Sequence, residues 1–169
     1  MRALILLVVL TFSVSAEAES FCAGMGMPAE TVTYISRGFS DGHAGLDLMA
    51  PPGSPIRAAA GGTVIFAGWY FDYGNIVDIK HADGVITRYA HMLAFAHGIG
   101  DGTPVSAGKV IGKVGSTGRA HGPHVHFEVR LDGHPVDPGP YLGLAPCTNP
   151  PDREPIEEAR SPEPKRRHP

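Results

Sequence analysis

Residues 121–130 read HGPHVHFEVR and hold three of the chain's nine histidines, with His124 and His126 one residue apart. Further upstream, DGHAGLDLMAPPG carries His43 and Asp47 at a spacing of four, and RYAHM carries His91. Imidazole nitrogens and a carboxylate are the donors a divalent cation takes. Two histidines and one carboxylate with a vacant fourth position are the arrangement expected of catalytic zinc, although the same donors accept other divalent ions. There is no HExxH, which excludes the helix-borne zinc site of that pattern. Nor does the pattern resemble closed structural zinc, which usually uses cysteine thiolates at short spacing.

These residues need elements to hold them. In HVHFEVR, Val125, Phe127 and Val129 alternate with His124, His126, Glu128 and Arg130. A period of two predicts a half-buried strand whose polar face spaces its side chains at roughly 7 Å. One histidine of the pair can then hold a metal while the other stands one strand repeat away, within reach of a metal's water or a substrate carbonyl. His43 and Asp47 lie in Gly- and Pro-rich extended chain, where positions i and i+4 again share a face. His91 ends another apparent strand. Further strands are predicted at TVIFAGW (63–69), NIVDIKH (75–81), GVITRYAH (84–91) and KVIGKVG (109–115). Asp83-Gly84, Asp101-Gly102 and Asp132-Gly133 supply turn chemistry between them. No sustained 3.6-residue period exists. The expected fold is all-β or β-dominated, with little helix.

At 169 residues, with Gly 22 and Pro 16, the chain has room for one domain with trimmings. A formal net charge of −3 gives no footprint for nucleic acid. Residues 1–18, with Arg2, an apolar run from Ala3 to about Leu10 and small residues ending in AEA, read as a secretory signal peptide too short to span a bilayer. Residues 19–35 are a lead-in, 36–147 the folded domain, and 148–169 a proline-rich tail with too little apolar content to fold. Cys22 and Cys147 bracket the domain, and in an oxidising compartment a disulfide between them is expected.

The runs HAGLDLMAPPGSPIRAAAGGTV, YGNIVDIKHADGVITRYAHM and GTPVSAGKVIGKVGSTGRAHGPHVHFE together resemble the lysostaphin-type (LytM-like) zinc metallopeptidases, over about residues 36–142. The resemblance implies a single compact antiparallel β-sheet domain with a zinc cleft, which hydrolyses peptide bonds in bacterial peptidoglycan cross-links or stem peptides. It implies one zinc ion per chain, held by His43, Asp47 and His126, with His91 and His124 as the catalytic pair, their individual roles left open. The leader and the expected disulfide point to an exported, most simply periplasmic, protein with no membrane span in the mature form, and a monomer acting on peptidoglycan peptides, with a regulatory protein as a further partner, is expected. The family's Phe-Gly-x-Arg segment is shortened and reordered to ISRGFSDGH, which leaves open whether Arg37 takes the usual arginine's place. The competing reading is a non-catalytic or autoinhibited relative that binds and regulates another wall hydrolase. Such relatives have typically lost zinc ligands, and here all five positions are filled.

Glu128 shares the histidine face and is read as orienting a histidine rather than as the general base, because the strand carries it a further repeat from the metal. His121 is expected to be exposed, and His81, His97 and His134 to be structural. Tyr73 is the groove candidate of the cluster Trp69–Tyr73. Gly115-Ser116-Thr117-Gly118 lacks the lysine of a phosphate loop and reads as a turn. A lipoyl- or biotinyl-type carrier is excluded by placing Lys109 and Lys113 within a strand.

Overall fold

The computed structural model describes residues 24–82 and 84–146. The expected signal peptide, Cys22, Cys147 and their disulfide, and the C-terminal tail lie outside the described residues, as does Asp83 of one predicted turn. Eleven strands follow in order: β1 Tyr34–Arg37, β2 Leu46–Met49, β3 Pro55–Arg57, β4 Gly62–Trp69, β5 Asn75–Lys80, β6 Ile86–Ala90, β7 Ala94–Phe95, β8 Pro104–Val105, β9 Val110–Lys113, β10 His124–Leu131 and β11 His134–Val136. The single helical element among the described residues is a 3-10 turn at Phe71–Tyr73. No helix of the described residues is long and apolar enough to cross a membrane.

The pairings are all antiparallel and make two sheets. The larger runs β1-β2-β10-β6-β5-β4-β8 with β11 beside β10, and the smaller runs β3-β9-β7. β10 is central, between β2 and β6. Its Val125, Phe127 and Val129 meet Leu46 and Leu48 of β2 and Tyr89 of β6, and Ile56, Ile111 and Val114 of the smaller sheet's strands and their flank join the same cluster. Each such side chain contributes about 1.5–3 kcal/mol on full burial. A one-residue slip of β10 would drive its histidines and Glu128 into this core, so the apolar alternation fixes the register.

β10 differs from the expected half-buried strand, since its polar face is also covered. His124, His126 and Glu128 are all buried. The register explains how: His126 sits opposite Asp47 on β2, while Glu128 faces Arg88 on β6, which in turn faces Asp78 on β5. Arg88 donates to both oxygens of Asp78 at 2.8 and 2.7 Å, and its guanidinium lies 4.9 and 5.1 Å from the Tyr70 and Tyr73 ring centres. Polar groups thus cover one another instead of facing water. The β10–β11 hairpin turns at Asp132-Gly133 with positive φ at both residues (49° and 82°), as a type I′ turn requires. Lys109 stands one residue before β9 rather than within a strand, so its position does not by itself exclude a carrier; Lys113 does end β9.

Candidate metal centre and cleft

The face of the sheet at β2 and β10 brings the two ends of the HxxxD block onto the HxH strand. His43 Nε2, Asp47 and His126 each offer one ligand atom, and these atoms lie within 4.8 Å of one another. Asp47 Oδ1 is 2.8 Å from His126 Nδ1, 3.0 Å from His43 Nε2 and 3.5 Å from His124 Nε2. One carboxylate oxygen is therefore the meeting point of three imidazoles.

The Nδ1 atoms of His43, His91 and His124 are committed outward. His43 Nδ1 donates to the Gly38 carbonyl, His91 Nδ1 to the Thr117 carbonyl and His124 Nδ1 to the Gly122 carbonyl, each at 2.8 Å. A carbonyl cannot donate, so each Nδ1 carries a proton, and in the neutral ring each Nε2 presents a lone pair. His126 is turned the other way: its Nε2–H donates to Glu128 Oε1 at 3.1 Å. A neutral His126 then presents Nδ1 as the lone pair. A neutral His43 facing the Asp47 carboxylate at 3.0 Å sets lone pair against lone pair, an arrangement that a cation between them satisfies. The donor set, two imidazoles and one carboxylate, fits zinc.

The ionisations follow from these contacts. Burial pushes the Asp47 carboxyl up, but the His126 hydrogen bond and the nearby His126, His124 and His43 outweigh it and hold its pKa at about 2. Burial likewise raises Glu128, but hydrogen bonds from His126, Tyr73 and Arg130 bring it down to about 2. Tyr73 is pushed up to about 12 by burial and by its hydrogen bond to that carboxylate. His126 is disfavoured as a cation by burial, yet Asp47 and Glu128 raise its pKa overall. His91 is lowered, mainly by burial and further by His124, against the Thr117 carbonyl. Its ring lies 4.7 Å from that of His124, centre to centre.

Loop geometry places His91. It follows β6 with φ +59°, a left-handed conformation that costs a β-carbon-bearing residue on the order of 1–3 kcal/mol. The turn 115–118 secures it: besides accepting from His91, Thr117 takes the Asn75 N–H on Oγ1 at 3.0 Å and donates to the Met92 carbonyl at 2.9 Å. This turn approaches the 71–74 turn so closely that a β-carbon on Gly118 would fall 2.4 Å from Gly74 N. The segment read from sequence as a turn pairs with β10 through a Gly115–His124 bridge and also supports a site residue, a role its sequence did not signal.

The five residues singled out from sequence are brought together, all buried, at the floor of an open cleft of about 860 Å³. Tyr34, Arg37 and Phe39 stand in its lining with Asp72, Tyr73 and Arg119. His121 lines the cleft and is exposed, as expected. Glu128 lies beneath His126, and Tyr73 edges the His126 ring at 5.4 Å. His81 is buried and bonds Gly61 and Thr87, away from the site, while His97 and His134 are exposed. The backbone acceptors at Gly38, Thr117 and Gly122 had no signal in the sequence, because any residue type supplies a carbonyl.

Residues 41–138 match the model of peptidase family M23, and the chain belongs to that family. The DD-carboxypeptidase/endopeptidase Mpg of Neisseria meningitidis is 52% identical over 96 residues, covering 57% of this chain and 22% of that protein. The chain therefore corresponds to about a fifth of that relative's length. Among solved structures, a zinc-containing peptidase from Vibrio cholerae is 34% identical, with a TM-score of 0.58, covering 62% of this chain and 35% of that one. The catalytic domain of the antimicrobial peptidase lysostaphin from Staphylococcus simulans is 29% identical, with a TM-score of 0.60, covering 65% of this chain and 92% of that one.

Proposed function

We propose that this chain is an exported zinc endopeptidase that cuts peptide bonds in peptidoglycan cross-links or stem peptides. The observation that carries the reading is the convergence of His43 Nε2, Asp47 Oδ1 and His126 Nδ1, with His91 and His124 beside them in an open cleft. Those three atoms would hold the ion. Bound there, zinc supplies a Lewis acid that polarises a peptide carbonyl and acidifies water.

The chain's own residues do the rest. Asp47, held ionised, contributes the negative charge, and Glu128 fixes the His126 ring with Nδ1 inward. His91, its cation disfavoured by burial, is suited to take a proton on Nε2 at neutral pH. His124 presents Nε2 from the same strand face as His126 and can donate toward a developing oxyanion or a leaving amine once protonated.

The domain boundaries, the removable leader at residues 1–18, a periplasmic destination and a monomeric state belong to the same proposal. The completeness of the His43–Asp47–His126 set counts against a purely regulatory role. The test is mass spectrometry of purified cross-linked muropeptides incubated with the protein, then with a chelator, then with zinc restored. New cleavage that disappears and returns is expected, and the products identify the bond. Intact muropeptides with folded, zinc-loaded protein would refute the reading.

A further inference from the structure

β1 carries an irregularity that bears on substrate choice. Tyr34 pairs with Met49 and Ile35 with Leu48, but a bulge follows, and the residue opposite Asp47 is Arg37 rather than Ser36. Residues opposite one another on antiparallel strands project to the same face, and bulges re-aim side chains beside functional sites. Without the extra residue, Ser36 would stand next to the candidate ligand Asp47. With it, Arg37 takes that place in the register, while Ser36 is retained at the bulge by a hydroxyl bond to the Asp47 carbonyl at 3.4 Å.

Arg37 lines the cleft and is exposed. Its guanidinium donates from one terminal nitrogen to the Gly42 carbonyl at 3.2 Å, which steadies the group and leaves Nε and the other terminal nitrogen to a ligand. Among the described residues no carboxylate lies within ion-pairing distance of it. The other cleft guanidinium, Arg119, faces Asp72 at 3.8 Å and so has a counter-charge within the wall. Asp41 also lines the cleft but makes no ion pair with Arg37. A planar donor fork without a counter-ion, set one residue pair from the metal centre, matches a carboxylate.

We infer that Arg37 binds a free carboxylate of the substrate close to the scissile bond, so that the site selects acidic peptides over their amidated counterparts. The carboxylate can be a chain terminus or a side chain, and the chemistry of recognition is the same. The inference rests on the peptidase reading above, with the peptide lying along the cleft past β1.

The test uses synthetic cross-linked peptides in four forms: both carboxylates free, terminus amidated, side chain amidated, and both amidated. Cleavage (kcat/KM, with KM resolved) and calorimetric binding are measured for the zinc-loaded full chain and for Arg37→Ala and Arg37→Lys. A charge-assisted hydrogen bond of ordinary strength gives the unmodified protein about a 10- to 100-fold preference for the acidic form. That preference should collapse in Arg37→Ala, mainly through KM, and be partly restored in Arg37→Lys. Comparison of the two singly amidated peptides tells which carboxylate is read. Equal losses by Arg37→Ala on acidic and amidated peptides, or no preference in the unmodified protein, would overturn the inference. The binding arm keeps the two proposals distinct. An Arg37-dependent preference in binding supports the carboxylate site even if no bond is cut, and equal binding of all four forms refutes it even if cleavage is rapid.

Discussion

Glu128→Gln is the most informative single change, because it keeps the shape of the side chain and removes only its charge. Glu128 is fully buried, with His126 Nε2–H on one oxygen and the Arg130 guanidinium on the other, while Tyr73 also donates to it. An amide in that slot must turn its NH2 toward His126 or toward Arg130, so one donor meets another whichever way it lies. Holding a carboxyl at about 2 against an ordinary 4.5 corresponds to about 3 kcal/mol of stability at neutral pH. The sign follows from the depressed value. The contribution is complete above the unfolded pKa and is lost as pH falls from about 4.5 through about 2. Losing the partner that orients a metal-binding histidine weakens metal affinity by about 10- to 100-fold. Urea unfolding of the metal-free protein from pH 7 to 3, with chelator competition for zinc, reads both effects. The variant should be less stable at pH 7 by up to about 3 kcal/mol, should lose part of the acid dependence, and should bind zinc more weakly. Unchanged zinc affinity together with an unchanged acid profile would refute the claim that Glu128 orients His126.

His91→Ala and His124→Ala should each lower the rate of muropeptide cleavage by about 10²- to 10⁴-fold while zinc content, read by atomic absorption, stays near one per chain. Zinc binding should release protons, and more of them as pH is lowered, because Asp47 and Glu128 outweigh burial and raise the His126 pKa, and the ion displaces any proton held on Nδ1. Calorimetry in buffers of different ionisation heat measures that release, and affinity should fall as pH is lowered. Gly45→Ala should destabilise the fold by about 1–3 kcal/mol, read as a lower urea midpoint, because its β-carbon would fall 2.2 Å from the Phe127 carbonyl oxygen at the seam between the HxxxD segment and β10.

The strands with strong alternation were legible in the chain. β10 begins and ends where its pattern does, and β4, β5, β6 and β9 fall within or close to the predicted runs. The short strands β1, β3, β7 and β8 were not legible, since few positions leave little period to read, and their pairing is set by neighbours. The division into two sheets had no local signal either.

The types and spacings of His43, Asp47, His91, His124 and His126 are properties of the sequence, and so is the strand period that puts His124 and His126 on one face. A pattern of alternation also says which face is apolar, because burial of Val125, Phe127 and Val129 is worth several kcal/mol and admits one register. Tertiary structure alone decided which nitrogen of each ring points inward, since that depends on carbonyls at Gly38, Thr117 and Gly122 and on the Glu128 carboxylate. It likewise decided that β10's polar face is buried and that a bulge sets Arg37 beside Asp47. Hydrogen bonds between residues distant in the chain, and the offset of one strand against another, are relations between segments, and no single segment contains them.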